Sequence, residues 1–392
     1  MEFNVPTSAY VHIPFCRRRC FYCDFPISVV GDQRNGRNSG TIAQYIEKLC
    51  EEIDRSNDFG EPLRTVFFGG GTPSLLAVSQ LEQILDKLDR RFGILSDAEI
   101  SMEIDPGTFD LEQIKGFKSA GVNRFSLGTQ AFQSDILKAC GRTHTVEDIY
   151  TSVDLIRQAG IENFSLDLIS GLPHQTIESW QESLEQAIAL SPTHLSTYDL
   201  TIEPQTPFGK QLKPGEKPLP SDELTADLYR FAQRTLTNAG FEHYEISNYA
   251  KPGYQCQHNR VYWENRSFYG FGMGATSYLN GDRVSRPRKL KEYYDWIGTA
   301  QSEAEVSQTD LMLDSLMVGL RLKEGIDLAQ FKTQFGEAAI AEIVKCLAPY
   351  QTSNWVEITA ASIRLTDPEG FLFSNVILTT LFAAFEEDES TF

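Results

Sequence analysis

An alternation of strand-like and helical runs is the feature that most restricts the fold of this chain. Six short runs rich in β-branched and aromatic residues each precede an amphipathic helical pattern, and they occupy residues 8–13, 65–68, 99–104, 124–130, 164–169 and 194–200. Successive βα units form a parallel sheet, and six of them fit a partial (β/α)6 barrel of the TIM type better than an open, doubly wound sheet. The sequence therefore predicts an α/β fold.

Three cysteines follow the first strand-like run in a C-x3-C-x2-C array formed by Cys16, Cys20 and Cys23. A tight loop can turn three thiolates toward one site, and thiolates select zinc or iron–sulfur clusters. A structural zinc site or an ordinary cubane would want a fourth protein ligand, but no further cysteine lies nearby. The economical interpretation is a [4Fe–4S] cluster with one open iron that can chelate a small molecule. Three structural or zinc-binding cysteines are the alternative.

Polar residues gather at the ends of the predicted strands, where barrel enzymes collect their sites. The second strand runs into the glycine-rich segment 69–74, where absent side chains let a ligand approach the backbone N–H groups. Strand alternation then predicts that Glu103, Gln130 and Asp167 point to one side of three successive strands. Buried carboxylates need partners, and an amine or ribose hydroxyls would serve.

The charge balance of the chain argues against nucleic acid as a partner. Thirty-five Lys and Arg residues against 54 Asp and Glu residues give a formal net charge of -19, which repels nucleic acid and anionic lipid. Seven cysteines without a hydrophobic signal segment favour a reducing compartment, and cytoplasm is the expectation. No apolar run approaches the length of about 18 residues that a membrane span requires.

The segment HNRVYW at 258–263 combines a histidine with aromatic residues. A neutral imidazole is a good axial ligand for heme iron, and Tyr262 and Trp263 could cover a porphyrin face. Cys256 is a competing thiolate ligand. The alternative is that His258 and Asn259 form hydrogen bonds that hold this loop.

A domain boundary is predicted near residue 300, where charged residues cluster and the strand signals stop. We therefore expect a barrel domain over 1–300, a small C-terminal α+β domain over 301–385 that packs on the barrel mouth, and an acidic tail over 386–392. A hairpin is predicted to turn at 367–370 or just before it.

The cysteine spacing, with the aromatic Tyr22 before the last cysteine, resembles the signature of the radical S-adenosylmethionine (SAM) superfamily. In that family the open iron binds the amino and carboxylate groups of SAM, and one electron from the cluster cleaves SAM to a 5′-deoxyadenosyl radical. The chain is similar to the branch around the oxygen-independent coproporphyrinogen III oxidases, and its Gly-Leu-Pro turn at 171–173 also matches. The resemblance also implies that the small C-terminal domain is winged-helix-like. This resemblance implies that the glycine loop and Glu103 hold the amino acid part of SAM and that Asp167 meets its ribose. The full set of implied SAM-binding residues is Tyr10, Tyr22, Gly70, Gly71, Thr72, Glu103, Gln130, Arg142 and Asp167.

One difference from the oxidases points to a particular branch of the family. Coproporphyrinogen oxidases of this branch carry a further cysteine two residues beyond the third, where this chain has Asp24 and Phe25. That departure and the segments 244–263 and 269–278 are similar to the HemW heme chaperones. The similarity implies heme as a further ligand, with His258 as its contact, and heme-acceptor proteins as partners. An electron donor such as flavodoxin or ferredoxin is also implied, and docking at a membrane through a protein partner stays compatible with the acidic charge.

Two functions from different classes follow from the resemblance. The first is a heme chaperone with no catalytic residue, which binds heme and delivers it to acceptor proteins. The rival is a radical SAM oxidase that decarboxylates the propionates of coproporphyrinogen III, and a radical SAM methyltransferase is a third candidate. The sequence leaves open the acceptor, the heme ligand, the oligomeric state and whether SAM is cleaved.

Overall fold

The computed structural model describes residues 5–32, 34–299 and 307–386. The strands are β1 (Ser8–Ile13), β2 (Phe15–Cys16), β3 (Ser28–Val29), β4 (Leu63–Gly70), β5 (Ile94–Ile104), β6 (Arg124–Gln130), β7 (Phe164–Ser170), β8 (His194–Asp199), β9 (Glu242–Glu245), β10 (Asn248–Ala250), β11 (Tyr269–Phe271), β12 (Thr276–Leu279), β13 (Asp282–Ser285), β14 (Ile326–Asp327), β15 (Val356–Ile358) and β16 (Ser362–Leu365).

The helices alternate with these strands along the barrel part of the chain and dominate the C-terminal part. They are α1 (Gly40–Arg55), α2 (Val78–Phe92), α3 (Leu111–Ser119), α4 (Ser134–Ala139), α5 (Val146–Gln158), α6 (Ile177–Ala189), α7 (Pro207–Gln211), α8 (Asp222–Asn238), α9 (Gln257–Trp263), α10 (Leu290–Trp296), α11 (Gln308–Gly319), α12 (Leu328–Phe335), α13 (Glu337–Thr352), α14 (Glu369–Leu372) and α15 (Ser374–Glu386). Among the described residues, no helix is both long and apolar enough to cross a membrane.

A nine-stranded sheet forms the centre of the molecule, in the order β11-β1-β4-β5-β6-β7-β8-β10-β9. The six predicted strands are its consecutive parallel members β1 and β4 to β8, so the predicted α/β barrel fold is confirmed. The sheet is extended at both edges. Strand β11 adds in parallel beside β1, and the antiparallel pair β10 and β9 adds beside β8.

The two faces of the sheet have opposite polarity because successive side chains in a strand point to opposite sides. One face is apolar and fully buried beneath the helices, as Val11, Phe68, Met102 and Leu166 illustrate. The other face encloses the barrel lumen and is lined mainly by polar side chains. The lumen-facing residues on three neighbouring strands pair across the sheet, because Glu103 lies opposite Ser126 and Ser126 lies opposite Ser165.

Helix α1 is fastened to the β11–β13 region by a buried glutamate. Glu52 Oε1 accepts a hydrogen bond from Arg286 Nε at 2.8 Å, and its Oε2 accepts from Tyr293 Oη at 2.6 Å and from the Gly272 N–H at 2.8 Å. Both members of this ion pair are almost fully buried. Three donors on one carboxylate satisfy a charge that would otherwise be costly to bury.

The small C-terminal domain has its own hydrophobic core and a three-stranded sheet in the order β14-β16-β15. Its hairpin turns at residues 359–361, between β15 and β16, whereas residues 367–370 lead into helix α14. The turn therefore lies before the residues that carry the strongest turn signal in the sequence. The predicted boundary at residue 300 and nearly all of the predicted acidic tail fall outside the described residues.

Among the described residues, the C-terminal domain contacts the barrel along strand β9 and helices α8 and α9, whereas we expected it to pack over the barrel mouth. His243 Nδ1 lies 2.8 Å from Asp367 Oδ1, and Arg230 Nε donates to Glu369 Oε1 at 2.7 Å. Glu245 of β9 forms an isolated antiparallel bridge with Leu322. The exposed edge of the sheet is thus covered by the second domain, which protects an otherwise unpaired strand.

Replacement of Glu52 by alanine should lower the free energy of unfolding by about 3–5 kcal/mol, because it leaves the buried Arg286 without its carboxylate. Glu51→Ala is the matched control, since Glu51 pairs with Lys48 and Arg55 on the surface of the same helix. Loss of that surface pairing should cost about 1 kcal/mol or less. Urea denaturation followed by circular dichroism measures both values, and equal losses would contradict the assignment.

Candidate cluster and cofactor site

The three cysteines of the array lie on a loop that leaves β1 at the C-terminal end of the strand. Cys16 closes the short strand β2, and its thiol accepts a contact from Thr72 Oγ1 at 3.6 Å. Arg142 Nη1 lies 3.5 Å from the sulfur of Cys20. Arg19 shapes the loop, because its guanidinium donates to the carbonyls of Cys23 and Phe25, each at 3.1 Å.

The donor set of this loop fits a cluster better than a single metal ion. All three cysteines are free thiols, and burial raises the pKa of Cys16 to about 12 and also raises the pKa of Cys23. Metal binding would have to displace those protons. Among the described residues, no three His, Cys, Asp or Glu side chains converge at the spacing of one metal ion. A cubane needs no such convergence, because each thiolate binds a different iron.

A pocket opens beside the cysteine loop, with about 360 Å³ of empty space that is partly open to solvent. Cys16 and Cys20 form one side of it. The other side comes from the loops after β4, β5 and β6, and includes Thr72, Asp105, Arg142 and His144. The structure therefore brings together two cysteines of the array, the glycine loop and Arg142, which belongs to the implied SAM-binding set.

Arg142 is already engaged by a carboxylate of the chain itself. Its Nη2 donates to Asp105 Oδ1 at 2.6 Å and to the Gly128 carbonyl at 2.9 Å, and its side chain is 8% exposed. Asp105 also accepts from Thr72 Oγ1 at 3.1 Å. An incoming carboxylate would therefore compete with Asp105 for this guanidinium.

Glu103 lies in the lumen beside the glycine loop. Its Oε2 accepts the Gly70 N–H at 2.9 Å. Burial, together with the nearby carboxylates Asp167 and Asp105, raises the pKa of Glu103 to about 8, against the opposing effects of the Gly70 hydrogen bond and of Arg124. A neutral carboxyl in this position would ionise in the presence of an ammonium group, which supplies the missing opposite charge.

The glycine loop packs closely against the first strand instead of presenting free N–H groups. The Gly71 N–H donates to the Ile13 carbonyl at 2.9 Å, and the Thr72 N–H donates to the Phe15 carbonyl at 2.7 Å. Gly70 has a φ of 109°, and a side chain there would lie 2.3 Å from the ring of His12. The N–H groups of all three residues are therefore used internally, and SAM contacts from this loop stay a prediction.

Gln130 and Asp167 flank the lumen on β6 and β7. Gln130 has a φ of 65° where the pairing of β6 with β7 shifts register, and its buried Oε1 has no hydrogen-bond partner. Asp167 accepts from Ser126 Oγ at 2.9 Å and from Ser165 Oγ at 3.2 Å. Burial raises the pKa of Asp167, while these hydroxyls and Ser196 oppose the rise.

The two tyrosines of the implied SAM-binding set, Tyr10 and Tyr22, lie in different parts of the site. Tyr10 lies inside the lumen, where its hydroxyl meets His12 Nδ1 at 3.0 Å and its ring stacks on Phe67 at 6.2 Å between centroids. Tyr22 lies in the cysteine loop, with its ring 6.4 Å from that of Phe208. Tyr10 therefore faces the predicted SAM position, whereas Tyr22 packs in a small apolar cluster beside the loop.

His258 lies on helix α9, beside Thr65 near the start of strand β4. It is fully buried, its Nδ1 meets Thr65 Oγ1 at 2.7 Å, and its Nε2 meets Tyr262 Oη at 2.8 Å. Burial lowers the pKa of His258 to about 3, so the ring is neutral. Cys256 is equally buried. These contacts match the alternative interpretation, in which His258 holds its own segment, and neither nitrogen is open to an iron in this arrangement.

Comparison with known proteins places the chain in a family. The model of the Radical SAM superfamily matches residues 10–187, and that of the HemN C-terminal domain matches residues 306–373. A protein described as heme chaperone HemW from Synechocystis sp. is 48% identical over 408 aligned positions, which cover 98% of each chain. The chain belongs to the HemW family. A HemW heme chaperone from Bacillus subtilis is 34% identical and covers 94% of this chain and 97% of its own.

The fold of this HemW family member also matches a solved structure. That structure is described as coproporphyrinogen III oxidase (HemN) from Escherichia coli, a radical SAM enzyme. The TM-score is 0.80 at 25% identity, and the match covers 96% of this chain and 90% of the other. The radical SAM barrel and the HemN-type C-terminal domain are therefore both present.

Three lumen residues of this HemW family member were not predicted from the sequence as part of the site. Asp105 binds Arg142, Glu99 accepts the N–H groups that begin helix α9, and Arg124 lies buried on β6. A signal for two of them existed, because positions 99, 101, 103 and 105 alternate as polar residues on one face of β5. Ser101 and Glu103 point to the lumen, so the same alternation applied two residues earlier and two residues later predicts that Glu99 and Asp105 also point there.

Glu103 gives the protein a pH-dependent stability. The carboxyl ionises near 4.5 in the unfolded chain and near 8 in the folded one, so the folded state holds an extra proton between these values. Wild-type stability should therefore fall as pH rises through this range. Glu103→Gln keeps an acceptor for Gly70 but has no proton to lose, so its stability relative to wild type should increase between pH of about 5.5 and about 8, by up to about 3 kcal/mol.

Urea denaturation at the two pH values measures this difference. Glu47→Gln, at an exposed position of helix α1, is the control and should show no such pH dependence. Parallel curves for wild type and Glu103→Gln across the range would show that the carboxyl is not held protonated.

Proposed function

We propose that this protein is a heme chaperone, which binds heme and delivers it to acceptor proteins in the cytoplasm. The observation that carries this proposal is the near full-length similarity to HemW heme chaperones, together with Asp24 and Phe25 where the oxidases have a further cysteine. Electron donors and acceptor proteins would be its protein partners. Its acidic charge favours protein partners over nucleic acid.

A [4Fe–4S] cluster would be held by Cys16, Cys20 and Cys23. The cluster would supply one-electron chemistry and an open iron for a small ligand. The chain's own contribution is charge control. Arg142 would place a positive charge beside the sulfur of Cys20, and Thr72 would donate to Cys16.

SAM would bind in the pocket and upper lumen beside these cysteines. Its ammonium group suits Glu103, whose pKa is raised by burial and by the nearby carboxylates Asp167 and Asp105. Gln130 offers a buried oxygen without a partner, and Asp167 faces the lumen within reach of a hydroxyl-bearing ligand. The roles of Tyr10, Tyr22, Gly70, Gly71 and Thr72 rest on the family resemblance alone.

Heme contact by His258 would require helix α9 to leave its place at the bottom of the barrel. The ring must give up its hydrogen bonds to Thr65 and Tyr262 before either nitrogen can bind iron. We therefore propose His258 as a heme ligand of a second, opened arrangement. Cys256 would become accessible in the same movement, because it begins the same helix.

The decisive experiment is anaerobic reconstitution of the cluster followed by titration with hemin, with a parallel turnover assay on coproporphyrinogen III. We expect saturable binding of one heme, seen in the Soret region, without decarboxylation. Turnover without tight heme binding would replace the chaperone by the oxidase. The oxidase is a genuine second candidate because a coproporphyrinogen III oxidase has the same fold at a TM-score of 0.80.

Three variants separate the parts of this proposal. Cys20→Ala should remove the cluster absorbance but leave the Soret band. His258→Ala should change the Soret band but leave the cluster, and an unchanged heme spectrum would refute the ligand assignment.

Thr65→Val removes one hydrogen bond that holds the His258 ring inside the barrel, so we expect heme to bind several-fold more tightly, as about 1 kcal/mol per hydrogen bond allows. Weaker binding by Thr65→Val would contradict the required opening.

A further inference from the structure

One carboxylate lies between the two side chains that contact sulfurs of the cysteine array. Asp105 Oδ1 accepts a hydrogen bond from Arg142 Nη2 at 2.6 Å, and Asp105 Oδ2 accepts one from Thr72 Oγ1 at 3.1 Å. Arg142 Nη1 lies 3.5 Å from Cys20 Sγ. Thr72 Oγ1 lies 3.6 Å from Cys16 Sγ. Each oxygen of Asp105 is thus one side chain away from a sulfur of the array.

The hydroxyl of Thr72 has two acceptors within reach but only one proton to donate. The Asp105 oxygen is the nearer acceptor, at 3.1 Å against 3.6 Å for the sulfur of Cys16. A carboxylate is also a stronger acceptor than a sulfur atom. The proton therefore lies on the side of Asp105, and Cys16 receives it only when Asp105 gives it up.

The guanidinium of Arg142 is buried against the same carboxylate. Its side chain is 8% exposed and that of Asp105 is 28% exposed, so solvent screens this ion pair only weakly. Arg142 Nη2 also lies 3.3 Å from His144 Nδ1. Burial, together with the adjacent charge of Arg142, lowers the pKa of His144 to about 4, so this ring adds no charge. Asp105 is therefore the group that neutralises Arg142 beside Cys20.

Positive charge predominates in the pocket beside the cysteine loop. Arg17, Arg18 and Arg142 line this pocket, and Asp105 is the one acidic residue among the described residues that line it. Arg18 has its own partner at the surface, because it pairs with Asp32 at 2.7 Å and both side chains are more than half exposed. Loss of the Asp105 charge would therefore leave the buried guanidinium of Arg142 without its counter-charge.

We propose that Asp105 is a positioning residue that lowers the reduction potential of a cluster held by this loop. Reduction adds negative charge to a cluster, so hydrogen bonds and positive charge at its sulfurs favour the reduced state. Asp105 withholds the Thr72 proton from Cys16. It also neutralises Arg142 beside Cys20. The inference rests on the proposed [4Fe–4S] cluster and gives a role to a residue outside both the cysteine array and the implied SAM-binding set.

A redox titration of the reconstituted full chain, followed by electron paramagnetic resonance without SAM or heme, measures this potential. Asp105→Asn keeps the size of the side chain but removes its charge. We expect the equilibrium constant for one-electron reduction to rise at least about tenfold, which is a shift of about +59 mV. Asp32→Asn is the matched control and should leave the potential unchanged, because its pair with Arg18 is exposed. An unchanged or lowered potential in Asp105→Asn would overturn the proposal.

A double-variant cycle tests the proton of Thr72. In the wild type, Thr72→Val should change the potential little, because the hydroxyl proton lies on Asp105. In Asp105→Asn the one carbonyl oxygen of the amide suits Arg142, which turns the amide N–H groups toward Thr72 and leaves the hydroxyl proton for Cys16. In that background Thr72→Val should lower the reduction constant about fivefold, the equivalent of about 1 kcal/mol. Equal effects in the two backgrounds would contradict the assignment of this proton.

Arg142→Gln tests the same ion pair with the opposite sign, and it replaces Asp105→Asn if that variant does not fold. Loss of the guanidinium leaves the Asp105 charge unneutralised, so the reduction constant should fall at least about tenfold. Thr143→Val, at an exposed position that lines the same pocket, should have no effect. Failure of the proposed function would give a different result, since the wild type would then show no cluster absorbance. A wild-type cluster whose potential responds to neither Asp105→Asn nor Arg142→Gln would overturn this inference alone.

Discussion

The opposite polarity of the two faces of the central sheet is the constraint on which the rest of the structure depends. Met102 and Glu103 are neighbours on β5, yet one packs in the main core and the other lines the lumen. The helices cover the apolar face and supply the hydrophobic stabilisation. The lumen is thereby left to polar groups, each of which needs a partner inside the barrel. Where the chain supplies that partner the group is structural, and where it does not the group is available to a ligand.

Helix α9 closes the lower end of the lumen, and it does so through one carboxylate. Glu99 accepts the N–H groups of Gln257 and His258, both at 3.1 Å, at the start of the helix. The carboxylate satisfies donors that a helix start leaves free and suits the positive end of the helix dipole. The histidine that sequence reasoning assigns to heme therefore begins as part of the floor of the barrel. Helix α9 can close the barrel in one arrangement and offer His258 to heme in another only if its hydrogen bonds to Glu99 break reversibly.

The sequence was sufficient for the parallel strands because they combine a strict local pattern with buried, β-branched residues. The runs at 8–13 and 124–130 coincide with β1 and β6. Strands β9 to β11 were not predicted, since three or four residues carry little periodicity. The hydrogen-bond partners of Arg142 and His258 could also not be predicted from the sequence. Asp105 and Thr65 reach them through contacts between distant strands, and no local rule specifies such contacts.

An aromatic column links the cysteine loop to helix α9 through the middle of the barrel. His12 Nε2 meets the Pro26 carbonyl at 2.9 Å, the ring of Tyr10 stacks on Phe67, and Phe67 stacks on His258 at 5.3 Å. Release of His258 would remove its stacking and two hydrogen bonds at once. An arrangement with His258 exposed is therefore a minor state of the free protein unless a ligand stabilises it. Because Phe67 contacts both Tyr10 and His258, the position expected for SAM and the position expected for heme share one side chain.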